Sequence, residues 1–187
     1  SPDSWTGNNL VYVDSPVDEA LGRRRAEALF AFTAALPGAL YVYQGEELGL
    51  WEVEDLPEAL LQDPIWERTG HAIRGRDGCR VPLPWAGSAP PFAFGPAGSV
   101  PWLPQPAAWR DFSAAAETHA PASMLSLCRA AVRLRRDHPG FASDTCSWLP
   151  SPADALLFAR AAGVRCAVNL SSSSLRLPRD RRDLLAS

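Results

Sequence analysis

Leu36-Pro37-Gly38-Ala39-Leu40-Tyr41-Val42-Tyr43-Gln44-Gly45-Glu46-Glu47-Leu48-Gly49 is where this chain commits to a fold. Leu40 to Tyr43 has the length and the aromatic and β-branched content of a strand buried on both faces. The run ends abruptly in a polar cluster, Gln-Gly-Glu-Glu. Upstream, Asp18 to Leu36 reads as a helix. Asp18 and Glu19 favour its N-terminus, Ala and Leu fill it, and Pro37-Gly38 stops it. Leu21, Ala28, Leu29, Phe32 and Leu36 recur at helical spacing, which predicts one packed face. A helix turning into a buried strand is the repeating unit of α/β proteins. In α/β barrels the chemistry gathers at the carboxyl ends of such strands, which makes the Gln-Gly-Glu-Glu cluster a place to look for function.

Downstream lies Gly75-Arg76-Asp77-Gly78-Cys79-Arg80-Val81-Pro82-Leu83-Pro84-Trp85. Its prolines fix φ and remove donors, so the segment reads as a rigid loop. Arg76 and Arg80 bracket a tight Asp77-Gly78 turn, which lets two planar guanidinium forks converge on one oxygen-rich target. Two solvated arginines around a surface turn is the plainer reading. The nearby strand end tips the balance towards binding, because rigid loops are where binding residues concentrate.

Together the two segments resemble the α-amylase family of glycoside hydrolases (family 13), in its α-glucosidase and oligo-1,6-glucosidase branch. Tyr43, Gly45 and Glu47 match the motif of the last barrel strand, and Gly75-Arg76-Asp77 through Trp85 matches the loop that follows it. Leu40 stands where the family usually has Pro. The likeness runs from about Ala20 to the C-terminus. It implies an α/β fold: the last part of a (β/α)8 TIM barrel in residues 1–140, then a truncated antiparallel β domain in 141–187. It also implies that Arg76 binds substrate, by reaching a glucose unit held beside the catalytic carboxylates. Glu47 is given a mainly structural part, ordering nearby loops.

Family members use an Asp nucleophile, a Glu acid/base and a stabilising Asp in an Asn-His-Asp motif. None of His71, His119 and His138 stands in that context. The expectation is therefore that the catalytic carboxylates lie upstream of Ser1, and that no catalytic residue falls within these 187 positions. Retaining glycoside hydrolysis needs two carboxyl groups flanking the scissile bond. The resemblance implies an oligosaccharide substrate, maltose-like or isomaltose-like, with no cofactor, no metal and a cytoplasmic location. A glucosyl-transferring or isomerising relative, such as a trehalose synthase, shares the fold. So does a non-catalytic, transporter-associated relative that acts through protein contacts, although a sugar-binding fork has no use there.

Composition suits part of an ordinary globular enzyme. The 187 residues are about one domain's worth, and 47% aliphatic and aromatic residues are enough to form a core. A net charge of −3 gives no basic field and argues against a nucleic-acid partner. No stretch approaches the roughly 20 apolar residues of a membrane span. Cys79, Cys128, Cys146 and Cys166 lack paired spacing and read as free thiols.

The remaining segments sort by pattern. Ser1 to Ser15 is a loop by composition. Gly49 to His119 shows little periodicity, yet it carries Trp51, Trp66, Trp85, Trp102 and Trp109, which argues against disorder. Most of these indoles are expected to pin the loop to the barrel, with one or two lining the substrate path. Glu54, Asp55, Glu58 and Asp63 read as helix caps and surface charge. Pro121 to Arg136 is a second helix, with Ser123 near its start and Arg133, Arg135 and Arg136 suited to its negative end. Short strands follow at Thr145–Leu149, Ala155–Arg160, Val164–Leu170 and Leu175–Leu177, with a hairpin turn at Ala161-Ala162-Gly163.

Overall fold

The computed structural model describes residues 18–96, 98–171, 173–176 and 185. Helix α1 spans Glu19–Ala35, and the Asp18 side chain caps it by accepting the Leu21 N–H at 2.9 Å. Helix α4, Met124–Asp137, is capped in the same way by Ser123, whose hydroxyl accepts from Ser126 N. Both expected helices are thus present, and α4 starts three residues later than its Pro121 signal. Two shorter helices, α2 (Pro64–Arg68) and α3 (Ala114–Thr118), take their caps from Asp63 and Ser113.

α1 and α4 pack through Phe30, Ala34, Met124, Cys128 and Ala131. Leu29, expected on the packed face, is exposed. Phe32 points instead at the sheet, edge-on to Phe158 at 5.6 Å. α1 therefore serves two neighbours, which a single-face reading of its periodicity does not anticipate.

Leu40 to Tyr43 does not form a strand here. Tyr41 is 89% exposed and Tyr43 51%. A strand is held by its neighbours' backbone groups, and among the described residues no strand lies beside this one. The aromatic run instead leads into a 3-10 turn at Glu46–Leu48.

The sheet is antiparallel, in the order β1 (Ser147–Trp148), β2 (Ala155–Ala159), β3 (Arg165–Asn169). Trp148 faces Phe158, and Phe158 faces Cys166. The β2–β3 connection is the expected turn at Ala161–Gly163, in which Ala162 (φ 49°) and Gly163 (φ 74°) are both left-handed. β1 is shorter than expected. Leu175 and Arg176 are not in a strand, and Leu177 lies outside the described residues.

The long segment between residue 49 and residue 119 builds a core of its own. Val53, Leu56, Leu61, Trp66, Val81, Phe92, Leu103 and Trp109 are buried together. This is the physical reason a stretch without periodicity stays ordered: its apolar residues meet across turns rather than along one element. No helix among the described residues is long and apolar enough to cross a membrane.

Candidate substrate-binding site

The two segments singled out by the sequence come together. Glu47 accepts the Gly45 N–H at 2.9 Å, and Glu46 accepts the Tyr43 N–H at 3.1 Å, so both acids are used in ordering their own turn. Gly45 (φ 95°) lies against Leu83: a Cβ added there would stand 3.5 Å from the Leu83 Cδ2. Val53 N donates to Gly78 O at 3.2 Å, which stitches the residues after the Glu46–Glu47 turn to the arginine loop.

The arginine loop is organised by two buried carboxylates. Asp77 has a fully buried side chain. Its Oδ2 accepts the backbone N–H groups of Gln62 at 2.6 Å and Asp63 at 2.8 Å, and its Oδ1 accepts Arg80 Nη1 at 3.0 Å. Asp63 is 4% exposed. It is the helix cap that the sequence suggested, accepting Ile65 N at 3.1 Å, but it is not surface charge. Its Oδ2 also lies 3.1 Å from Arg80 Nη2 and 3.4 Å from Arg76 Nε. The oxygen-rich target on which the two arginines converge is thus part of the chain itself.

The two arginines differ in how much of their fork is used. Arg80 bridges both acids through two nitrogens. The Arg76 side chain is 69% exposed and engages Asp63 through Nε alone. Burial by itself would raise the Asp63 carboxyl. The hydrogen bonds from Ile65 and Arg76, with the Arg80 charge, outweigh burial and hold it below the ordinary carboxylate range. The sequence reading gave Asp63 as a cap and Asp77 as part of a turn, and it did not foresee that both are buried and tie down the arginines. Gly75 and Gly78 were the available signal, since glycines flanking charged residues mark places where backbone and side chain approach closely.

Only Trp66 and Trp109 of the five tryptophans in the long segment are buried, fewer than the expected majority, whereas Trp51, Trp85 and Trp102 are exposed. A shallow groove beside α2 is lined by Glu58, Leu61, Trp66, Glu67 and His71, with the His71 ring stacked on Trp66 at 4.5 Å. Arg76 is not among its lining residues. Among the described residues no group of three or more His, Cys, Asp or Glu side chains could hold a metal ion. All four cysteines are free thiols. Burial pushes the thiol of buried Cys128 up to about 12 and that of half-buried Cys166 to about 11, which keeps both protonated near neutral pH.

Residues 14–144 match the family described as the alpha amylase catalytic domain. The chain belongs to the α-amylase family. It is 33% identical over 165 residues to a probable alpha-glucosidase of Rhizobium meliloti, covering 86% of this chain and 29% of that protein. An oligo-1,6-glucosidase of Heyndrickxia coagulans is 28% identical over 163 residues, covering 73% of this chain and 29% of that protein. The chain thus spans 29% of the length of these α-amylase family relatives. Among solved structures, an alpha-glucosyl transfer enzyme, XgtA, superposes with a TM-score of 0.71 at 34% identity, over 82% of this chain and 29% of that one. Trehalulose synthase MutB of Pseudomonas mesoacidophila, at 23% identity and a TM-score of 0.65 over 79% of this chain, shares the fold.

Proposed function

We propose that this chain is the C-terminal part of an α-glucosidase that cleaves terminal α-linked glucose from short oligosaccharides of maltose or isomaltose type. In this reading residues 1–140 close a (β/α)8 barrel and residues 141–187 begin an antiparallel β domain. The nucleophile and acid/base carboxylates belong to a part of the barrel that precedes these residues. No cofactor or metal is called for, and the enzyme works in the cytoplasm on soluble sugars. The relatives named as α-glucosidase and oligo-1,6-glucosidase support the reaction class.

The observation that carries the reading is the state of Arg76. Its guanidinium stands exposed on a loop locked by the Asp63–Arg80–Asp77 network, with both Nη groups unbonded among the described residues. Vicinal sugar hydroxyls match the spacing of such a fork. A fixed positive charge also keeps neighbouring carboxylates ionised, which a nucleophile requires.

The test uses the full-length protein with maltose, isomaltose and a nitrophenyl α-glucoside. Hydrolysis with retention of the anomeric configuration is expected. Arg76→Ala is expected to lower kcat/KM by the equivalent of about 2–4 kcal/mol, the cost of a broken charge-assisted hydrogen bond in a closed site. Near-normal kinetics in that variant, with an unchanged melting temperature, would take Arg76 out of the site. A second reading, glucosyl transfer rather than hydrolysis, is favoured by the 34% identity to the transfer enzyme XgtA. Product analysis at high glucoside concentration separates the two, because transfer yields longer saccharides in place of free glucose.

A further inference from the structure

We infer that Asp63 is the positioning residue for Arg76, gripping its backbone N–H and its Nε–H so that both Nη groups point away to receive a ligand's hydroxyls. This rests on the reading of Arg76 as a substrate-binding residue and names what aims it.

The geometry separates the two ends of the Arg76 side chain. Asp63 Oδ2 lies 3.2 Å from Arg76 N and 3.4 Å from Arg76 Nε, so one oxygen holds the residue at both its root and its neck. The carboxylate is nearly out of solvent while the guanidinium it holds is mostly in it. An arginine gripped at Nε keeps the rest of its planar fork free and loses most of its freedom to swing. That freedom otherwise costs rotamer entropy whenever the fork binds.

The acid is itself held from every side. Its Oδ1 caps α2 through Ile65 N, its backbone N–H is bound by buried Asp77, and Arg80 ties the two acids together. Gly75 makes the approach feasible: at φ 77°, a Cβ there would sit 2.5 Å from Asp63 Cβ. Two acids and two bases sum to zero charge. Arg80 uses both of its Nη nitrogens on the two acids, whereas the more exposed Arg76 uses only Nε and keeps both Nη groups unbonded among the described residues. An orienting carboxylate behind a binding group is the arrangement that fixes ligand geometry in metal sites, and the same logic applies to a fork that reads hydroxyls.

Glucose binding to the full-length protein, measured by calorimetry, tests this with a double-mutant cycle. Arg76→Ala and Asp63→Ser are each expected to weaken glucose binding by about tenfold or more. Serine keeps an N-cap oxygen for α2 and so retains the helix start that Asp63 supports. The double variant Asp63→Ser/Arg76→Ala is expected to bind no more weakly than Arg76→Ala, because Asp63 acts only through Arg76. A purely structural Asp63 would lower the melting temperature and leave glucose affinity as in wild type, or its loss would multiply with that of Arg76→Ala; either result overturns the inference. If Asp63→Ser fails to fold, Arg76→Lys puts the same question without touching the acid. Lysine keeps the charge but offers no Nε–H for Asp63 to hold ahead of a free fork, and a tenfold loss is expected. Wild-type affinity in Arg76→Lys overturns the inference. Wild-type protein that binds no glucose overturns the α-glucosidase reading itself. Weak binding in Arg76→Ala beside normal binding in Asp63→Ser removes the positioning role alone.

Discussion

Arg135, near the end of α4, donates to the carbonyl oxygen of Ala34, near the end of α1, at 2.6 Å. The same guanidinium also reaches the carbonyls of Leu36 and Gly38. The last carbonyls of a helix have no partner within it, so one arginine completes the end of α1 and fixes the turn that follows. Replacing Arg135 with Met is expected to cost the full-length protein about 2 kcal/mol, read as a lowered thermal or urea midpoint. Arg135→Lys should recover less than half of that, since a single ammonium cannot address three carbonyls from one plane. An unchanged midpoint would mean that water serves those carbonyls as well as Arg135 does.

Gly75, like Gly78, is a position where the arginine loop has no room for a side chain. Its left-handed φ and its contact with Asp63 penalise Gly75→Ala twice, once in the backbone and once by forcing the buried acid to move. A loss of at least about 2 kcal/mol is expected. Gly70, also left-handed but with nothing within 4 Å of a would-be Cβ, is the control, and Gly70→Ala should cost about half as much. Equal costs at the two glycines would show that the Asp63 contact carries no energy.

Tyr41, Val42, Tyr43 and Leu29 are apolar or aromatic side chains left largely in water. Exposed runs of this kind are ordinarily covered, and an extended unpaired segment invites pairing with another chain. The 187-residue polypeptide purified alone is expected to bind a hydrophobic dye, to sediment well above its 20.2 kDa monomer mass and to turn over no α-glucoside. A sharp cooperative melt with monomeric sedimentation would contradict the first part. Saccharide hydrolysis that disappears on mutating one of its acids would contradict the second.

Those same residues mark where reading the sequence succeeded and where it stopped. Local signals were legible: Asp18 and Ser123 cap the helices they seemed to cap, and the Ala161–Gly163 turn joins the strands on either side. The Leu40–Tyr43 pattern was strand-like, but a strand is a property of a pair and no partner stands beside it among the described residues. Arg135 looked like a favourable charge on its own helix and proved to serve another, about a hundred residues away. Asp63 carried a cap signal that was correctly read, while its burial came from tertiary contacts to Arg76 and Arg80 that spacing cannot reveal. The long segment after residue 49 gave no periodicity because its core is assembled from turns and short helices that each contribute only a residue or two.

Asp63 makes stability depend on acid. Its carboxyl sits below the ordinary value in the folded state, so the unfolded chain takes up a proton first as pH falls. The stabilisation is fully present above about pH 4, the unfolded value, and is lost as pH drops through the lowered folded value. Thermal midpoints recorded from about pH 6 to about pH 3 should fall more steeply in wild type than in Asp63→Ser. Parallel curves would mean that the Ile65, Arg76 and Arg80 contacts together do not hold the carboxyl below its ordinary value in solution.

Glu117 has the opposite sign. It is buried between α3 and α4, with its Oε2 accepting the Leu125 N–H at 2.9 Å. Burial raises its carboxyl, and the Glu27 and Glu47 charges add to that. The Leu125 bond and the Arg23 charge oppose the rise without cancelling it. A folded value above the unfolded one means that its contribution is present in acid and is lost as pH rises through the folded value. Glu117→Gln keeps an acceptor for Leu125 and removes the buried charge. It also removes a favourable charge near the N-terminus of α4, worth about 0.3–1 kcal/mol, so two effects compete at neutral pH. The raised carboxyl says that the cost of burial is the larger. The variant is therefore expected to melt higher than wild type near pH 7 and no higher near pH 4, with the curves converging as Glu117 protonates. A variant that melts lower at neutral pH and matches wild type in acid would show instead that the site stabilises the carboxylate, with Arg23 and the helix end prevailing over burial.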